Sequence, residues 1–318
     1  MSVVVPTVEL NSGYSLPLVG LGTWMSEPDK VGNAVEIAIR SGYRHIDCAF
    51  AYLNQEEIGE GIERCIKKGL VERKDLFITT KIWNTYHSAK KTRENFKKCM
   101  CDLRLDYLDL LLIHWPQGYQ EGGEVFPKAG ESDKMLYSDV DYLETWKTME
   151  QFVKEKKVHS IGLSNFNHKQ IERICAEGSI KPAVLQIEFH PYFQQRKLRE
   201  FCDRLGIAVM AYSPLGNMKN PFRKKTDPCI MEDPVLIGIG KKYGKTSAQV
   251  VLRWIVQQKV LCIPKSISEE RIKENINVFD FSLTDEEMTA IDNLDRNWRT
   301  IVLERDSDHM YYPFNEEY

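Results

Sequence analysis

Four side chains in the first third of the chain, Asp47, Tyr52, Lys81 and His114, offer an acid, a phenol, an amine and an imidazole. They are far apart in sequence. Each nevertheless sits at or just beyond the end of a short apolar run, RHID, DLFITTK or LDLLLIH, that reads as a β-strand. In a parallel αβ barrel the ends of successive strands meet at one rim, and active sites are built there. Gathered on such a rim, these four groups have the makings of a proton-transfer site.

The elements that must position them come from an alternating pattern. After a β-hairpin expected in TVELNSGYSLPL, with Asn-Ser-Gly as its turn, the strand candidates are VGLGT, HIDCA, LFITTKI, LDLLLIHW, HSIGLSN, VLQIEF, AVMAYS and VLCIPKS. Amphipathic stretches separate them: DKVGNAVEIAIRSG, NQEEIGEGIERCIKKG, KKTRENFKKCMCDL, DYLETWKTMEQFVKEK, NHKQIERICAEG, QRKLREFCDRLG and SAQVVLRWIVQQ. An eighth, SEERIKENINVF, follows the last strand. Several end in Gly or a basic residue, as helix C-termini prefer. Eight strands alternating with eight helices predict an α/β fold, a (β/α)8 TIM barrel with an N-terminal β-hairpin, as one domain over residues 1–318. A doubly wound dinucleotide-binding sheet is the rival. It would normally show G-x-G-x-x-G after its first strand, whereas that place reads GLGTW, and GIGKKYG at 238–244 has the wrong spacing. Three connections are long: residues 116–140, 214–233 and the tail from 294. They are expected at the C-terminal rim as lids or walls, or as surface decoration.

Bulk properties exclude several function classes. At 318 residues with 42% hydrophobic and 28% charged, the chain is an ordinary globular composition. A net charge of −3 gives no push toward nucleic acid or an anionic membrane. No apolar run approaches the ~20 residues that span a bilayer. MSVVVPTVEL has no basic region and does not read as a signal peptide. The eight cysteines form no CxxC and no zinc pairing, and no HExxH occurs, so no metal is expected. Thiols without a disulfide framework fit a reducing compartment, and a cytoplasmic location is expected.

Across nearly its whole length the chain resembles the aldo-keto reductase family. GYRHIDCAFAYLNQEEIG, LDYLDLLLIHWP, IGLSNFN, AYSPLG and IPKSISEERIKEN carry the likeness, and Asn297–Arg299 (NWR) points toward the aldose and aldehyde reductases. The resemblance implies NADPH-dependent reduction of aldehydes or ketones in a barrel without a Rossmann domain. It also gives the four residues roles. A carbonyl that accepts hydride must receive a proton. Tyr52 would donate it, with the Lys81 ammonium lowering the phenol's pKa from near 10. Asp47 would hold Lys81 charged and oriented, and His114 would hydrogen-bond the substrate oxygen. Taken singly, Asp47 and Lys81 also read as a structural ion pair, Tyr52 as a loop aromatic and His114 as a core histidine. The steroid double-bond reductases, which are similar, carry glutamate at the histidine position, so His114 favours carbonyl over C=C reduction.

The same matching implies a cofactor site. Ser164, Asn165 and Gln186 correspond to residues that hydrogen-bond the nicotinamide carboxamide, and Tyr212 to the aromatic that stacks on its ring. Thr23, Trp24, Ser213 and Leu215 fall in the matching cofactor segments. Lys265, Ser266 and Arg271 correspond to the 2′-phosphate site, and Glu274 and Asn275 to adenine contacts. KSISEER also runs from a strand into a helix N-terminus, which favours an anion and, with its two cations, NADP over NAD. A plain capped helix with solvated charges is the alternative there. The implied substrate pocket is lined by Trp24, Trp83, His114, Trp115, Phe126, Phe222, Trp298 and Leu303, whose apolar walls would accept many aldehydes. Two positions depart from the pattern. Met25 stands where aldose reductases carry a lysine that latches across the cofactor, and Lys219, or the Arg223-Lys224-Lys225 cluster, is the candidate replacement. Ile301 takes the place of the reactive tail cysteine. The expected partner is a small-molecule carbonyl substrate and the expected state a monomer. A hydroxysteroid or prostaglandin reductase on the same scaffold, or a non-catalytic NADPH-binding or structural role, remains open.

Overall fold

Short runs of apolar residues buried on both faces, as helix-covered parallel strands require, set the architecture. The computed structural model describes residues 3–130, 133–216, 224 and 226–318. The hairpin pairs β1 (Thr7–Glu9) with β2 (Ser15–Pro17) in antiparallel register. Its turn closes through Gly13, whose amide donates to Leu10 O at φ +84°, a backbone state suited to glycine.

The barrel strands are β3 (Leu21–Gly22), β4 (His45–Asp47), β5 (Phe77–Ile82) and β6 (Leu108–Ile113). A small antiparallel ladder, β7 (Gly118–Tyr119) with β8 (Tyr137–Ser138), then folds the first long connection back on itself. The barrel resumes with β9 (Val158–Ser164), β10 (Val184–Glu188), β11 (Ala208–Tyr212) and β12 (Leu261–Cys262). These eight strands form one parallel sheet in the order β12-β11-β10-β9-β6-β5-β4-β3. Parallel bridges Val19↔Cys262 and Gly22↔Lys265 join its two edges and close the cylinder. Each of the eight strand candidates is therefore a barrel strand.

Ten α-helices occur among the described residues. They are α1 (Val31–Ser41), α2 (Gln55–Lys67), α3 (Ala89–Leu103), α4 (Tyr142–Lys154), α5 (His168–Glu177), α6 (Arg196–Leu205), α7 (Pro234–Tyr243), α8 (Ser247–Gln257), α9 (Glu269–Ile276) and α10 (Asp285–Asp292). Two of them, α7 and α10, lie outside the eight amphipathic stretches. The first starts at Asp233, whose side chain accepts from Val235 N, with Pro234 at the first helical position, and it stops at Gly244 at φ +63°. The second starts in a capping box between Thr284 and Glu287 but buries only Ile291. An N-cap starts a helix even where the apolar stripe is too thin to reveal it.

Side-chain alternation stacks polar layers up the barrel axis. Low in the barrel, His45 Nε2 meets Thr79 Oγ1 at 3.0 Å. A Cβ on Gly20 would stand 2.3 Å from His45 Nδ1, so the glycine leaves room for the ring. Two residues further along the same strands, Asp47 and Lys81 make the next layer, joined by Gln186 and Met210. Above them the strand ends open onto the rim.

Candidate active site

Three strand ends and one turn bring the four residues together. Asp47 ends β4, paired in register with Thr79 on β5. Lys81 lies on β5 opposite Leu112 of β6, and His114 follows that strand, its amide donating to Ile82 O at 3.1 Å. Tyr52 closes the 3-10 turn Phe50–Tyr52, which ends at Leu53 in a left-handed conformation at φ 56°. Asn54 Nδ2 ties that turn to Thr23 O at 3.0 Å, and Thr23 Oγ1 donates to Asp47 O at 2.8 Å. Thr23 therefore sets the spacing between the first two strand ends.

Lys81 is the hub. Its ammonium donates to Asp47 Oδ2 at 2.7 Å, Cys48 O at 2.8 Å and Tyr52 Oη at 3.3 Å, and its side chain has no exposed surface. Gln186 Nε2 donates to the other Asp47 oxygen at 2.8 Å. The His114 ring stands edge-on to Tyr52 with centroids 5.7 Å apart, and to Trp83 at 5.2 Å.

The electrostatics correct one expectation. Tyr52 is raised well above its ordinary value, by burial first and then by Asp47 and Cys48, rather than lowered by Lys81. Burial is the first cause, and the Lys81 ammonium, itself paired with Asp47 at 2.7 Å, does not offset it in the resting site. The hydroxyl therefore stays protonated. His114 is held well below the usual histidine range by burial and by the Lys81 charge, so its ring is neutral near pH 7. A neutral imidazole keeps one N–H to donate.

Beside these residues run the ends of β9 to β12. Tyr212 is half-buried, and its hydroxyl donates to Asn165 Oδ1 at 2.8 Å. Asn165 Nδ2 in turn donates to His114 O and Ser164 Oγ, each at 3.1 Å. The Asn165 amide is thus committed to protein partners, a network that fixes the Tyr212 ring against the histidine strand. Ser164 keeps its hydroxyl hydrogen and Gln186 its carbonyl oxygen, a donor and an acceptor of the kind a primary carboxamide needs. Ser213 (φ 48°) and Leu215 lie in the turn that follows, closed by Gly216 N donating to Ser213 O at 2.9 Å.

Past β12, Ser266 is buried and its hydroxyl caps Ser268 N at 3.1 Å, just before α9. Arg271 projects from the first turn of that helix, exposed. Glu274 accepts a hydrogen bond from Thr246, and Asn275 is buried behind it. Lys265 Nζ reaches Met25 O at 3.2 Å, and Met25 is exposed with φ 49°. A cation from just past β12 therefore reaches Met25, the position read as lacking the latch lysine. Lys219, Phe222, Arg223 and Lys225 lie outside the described residues, and Lys224 is exposed. The helix N-terminus, the two cations and the exposed face of Tyr212 fit an elongated anionic cofactor with an aromatic amide at one end.

The substrate wall is drawn together only in part. Trp83, Trp115 and Leu303 pack as one apolar group, with Phe126 edge-on to Trp83 at 5.2 Å and half open to solvent. Trp83 Nε1 donates to Val125 O at 2.6 Å, which ties this wall to the first long connection. Trp24 is half-buried at the end of β3. Trp298 is not in the group: it packs by His190 and Tyr192, with ring centroids 5.8 and 6.3 Å away, because its amide is bonded to Tyr192 O. The wall also includes Phe50, Tyr119, Met135, Ile301 and Phe314, none of which the sequence placed in it. Tyr119 donates to Asp306 Oδ2 at 2.5 Å across 187 residues, so no local pattern announces the pairing.

Comparison with known proteins identifies the family and agrees with the barrel fold. A sequence model of the Aldo/keto reductase family matches residues 18–296. Aldo-keto reductase family 1 member A1 from Homo sapiens is 45% identical over 321 residues, covering 98% of each chain. The protein of that name from Gallus gallus is 44% identical with the same coverage. Among solved structures, the aldose reductase from Schistosoma japonicum superposes with a TM-score of 0.93 at 43% identity, over 98% of this chain and 100% of that one. A Bombyx mori aldo-keto reductase solved in complex with NADP gives 0.90 at 39% identity, with equal coverage.

Proposed function

The chain belongs to the aldo/keto reductase family and is an NADPH-dependent oxidoreductase of carbonyl compounds; we propose that aldehydes and ketones, aldoses among them, are its substrates and that Tyr52 is the proton donor. The observation that carries this reading is the Lys81 ammonium, bonded at once to Asp47 Oδ2 and Tyr52 Oη at 2.7 and 3.3 Å. A buried phenol kept protonated, with a neutral imidazole edge-on beside it, suits the polarisation and protonation of one oxygen.

Tyr212 would carry the nicotinamide on its exposed face, with Ser164 and Gln186 taking the carboxamide. Lys265, Ser266, Arg271 and the α9 amides would take the 2′-phosphate, with Glu274 and Asn275 at the adenine. Bound there, the reduced nicotinamide supplies the hydride. His114 holds the carbonyl oxygen, Tyr52 gives it a proton, and the phenolate left behind is stabilised by the Lys81 ammonium 3.3 Å away. Trp83, Trp115 and Leu303 exclude water around the reacting carbon. Lys265 on the Met25 carbonyl supports a cofactor site that closes without the lysine latch; Lys219 is the second candidate for that task.

We further propose that the protein works as a monomer in the cytoplasm. Its eight thiols are all free, which suits a reducing compartment, and no described helix is long and apolar enough to cross a membrane. A steady-state screen of glyceraldehyde, aldoses, short aldehydes and ketosteroids with NADPH tests the assignment. Turnover of aldehydes is the expected result. Tight NADPH binding with no turnover across the panel would instead favour a binding role.

A further inference from the structure

Glu188, at the rim end of β10, is a fully buried carboxylate that the reaction does not use. Its Oε1 accepts from Thr300 N at 2.6 Å, Thr300 Oγ1 at 2.6 Å and His190 Nε2 at 3.0 Å. Its Oε2 accepts from Ile301 N at 3.0 Å. Three of these four donors belong to the C-terminal tail, 112 or 113 residues further along the chain. The carboxylate stays ionised, held below its ordinary range by the His190 and Thr300 hydrogen bonds against the cost of burial. Arg299 adds a cation next to it, its guanidinium packed over the rings of Phe314 and Phe193 at 3.5 and 4.4 Å.

The segment so fastened carries part of the substrate wall. Ile301 and Leu303 pack against the Trp83 and Trp115 group, and Leu303 does so from a left-handed backbone at φ 52°. A β-carbon in that conformation costs about 1 kcal/mol, which the surrounding anchors must offset. Further bonds flank the segment: Arg296 N and Trp298 N donate to Tyr192 O at 3.1 and 3.0 Å, Tyr312 Oη to Val302 O at 2.7 Å and Tyr137 Oη to Arg305 O at 3.1 Å. On its other side Glu188 is in register with Tyr212 of β11. One carboxylate therefore stands between the tail and the ring proposed to carry the nicotinamide.

We propose that Glu188 is a positioning residue for substrate selectivity: its carboxylate fixes the backbone at Thr300 and Ile301, and so the distance between the Ile301–Leu303 wall and the reacting carbonyl. The inference rests on the reductase reading of the site. It predicts that substrates with an apolar tail, which lie against that wall, depend on Glu188, while a substrate too small to reach it does not.

The test compares Glu188→Gln and Thr300→Val with the parent protein. Glu188→Gln keeps the shape but replaces a charged acceptor by an amide, and Thr300→Val removes a single donor. With Glu188→Gln, KM for an aromatic aldehyde bearing a long alkyl tail should rise about tenfold, while KM for glyceraldehyde moves less than about twofold. Exchange of the Thr300 and Ile301 amides with solvent deuterium should speed up by about a hundredfold. Thr300→Val should shift both readouts in the same direction by about threefold, and it decides the matter if Glu188→Gln does not yield folded protein. Equal losses on both aldehydes, or unchanged exchange of the two amides, would overturn the proposal. If the parent protein turns over neither aldehyde, the reductase reading fails instead; the amide exchange still reports on the clamp.

Discussion

Replacing Lys81 by methionine should cost both stability and turnover, and a second substitution should return the first without the second. The ammonium and the Asp47 carboxylate stand 2.7 Å apart, with side chains 0% and 2% exposed. At an effective dielectric constant of about 20 their attraction is about 6 kcal/mol. Removing both ions from water costs several kcal/mol each, so the net worth of the pair is small. Breaking it is another matter. Lys81→Met leaves the Asp47 charge with one neutral donor, Gln186 Nε2, and destabilises the fold by about 3 kcal/mol or more. Asp47→Asn/Lys81→Met has no unpaired ion, so its loss should be at least about 2 kcal/mol smaller than the sum of the two single losses.

Urea unfolding of the four proteins at neutral pH measures the coupling. The pH dependence has a definite sign. Burial raises the Asp47 carboxyl even with Lys81 present, and more so without it. A carboxyl raised in the folded state is favoured once protonated, so the deficit of Lys81→Met should shrink as pH falls toward the ordinary carboxylate range. In the NADPH oxidation assay, Lys81→Met should lose about 10²-fold or more in kcat, because Tyr52 then donates its proton with no cation beside the phenolate. The double variant should remain equally slow. Additivity of the two stability losses within about 0.5 kcal/mol would refute the buried-pair reasoning. Recovery of kcat in the double variant would refute the role of the ammonium in proton transfer.

Tyr52→Phe should lower kcat about 10³-fold and leave the NADPH Kd, followed by protein fluorescence, within about twofold; equal losses in both would make Tyr52 a cofactor ligand rather than the acid. Lys265→Met should weaken NADPH binding about tenfold and NADH binding hardly at all, and titration of each dinucleotide decides, with parallel losses counting against the 2′-phosphate assignment. His45 and His87 are both depressed to about 3 by burial, so the unfolded chain takes up their protons first as pH falls below about 6.5. Between pH 7 and 5 these two groups should remove about 4 kcal/mol of stability; a urea midpoint unchanged over that range would contradict their neutral burial. Treatment with peroxide should leave activity nearly constant, since Ile301 occupies the tail position where a cysteine would oxidise; a loss reversed by dithiothreitol would point to another thiol, Cys101 being exposed.

The strands were legible because a parallel strand buried on both faces is written as an unbroken apolar run, and every residue of Leu108–Ile113 is buried. The polar residues ending such runs mark the rim, which is why Asp47, Lys81 and His114 stood out. What stayed hidden are relations between distant segments. Helix α10 buries one residue and so shows almost no periodicity. Glu188 lies in the same apolar run as Gln186, and nothing local tells that its carboxylate meets backbone amides at 300 and 301. The direction of the Tyr52 shift also escaped. It depends first on how completely the phenol is buried and then on the nearness of Asp47, which are matters of packing and distance and not of residue type.

The two classes of residue divide the labour of the site. Those proposed for chemistry and cofactor lie mostly on or just past strand ends, whose register is fixed by the barrel ladder. Those that would meet the rest of the substrate lie on the 118–138 connection and the 300–314 tail, which the ladder does not hold. Among the bonds that fasten that wall instead are those of two buried acids, Glu188 to the tail backbone and Asp306 to Tyr119. Burial raises the Asp306 carboxyl, while hydrogen bonds and a neighbouring histidine hold Glu188 down. Acidification therefore acts on a carboxyl already raised at Asp306, and through its bond to Tyr119 on the attachment of the tail to the 118–138 connection. Selectivity among bulky aldehydes should then shift on acidification while KM for glyceraldehyde stays level, because the small substrate tests only the part of the site that the strands hold.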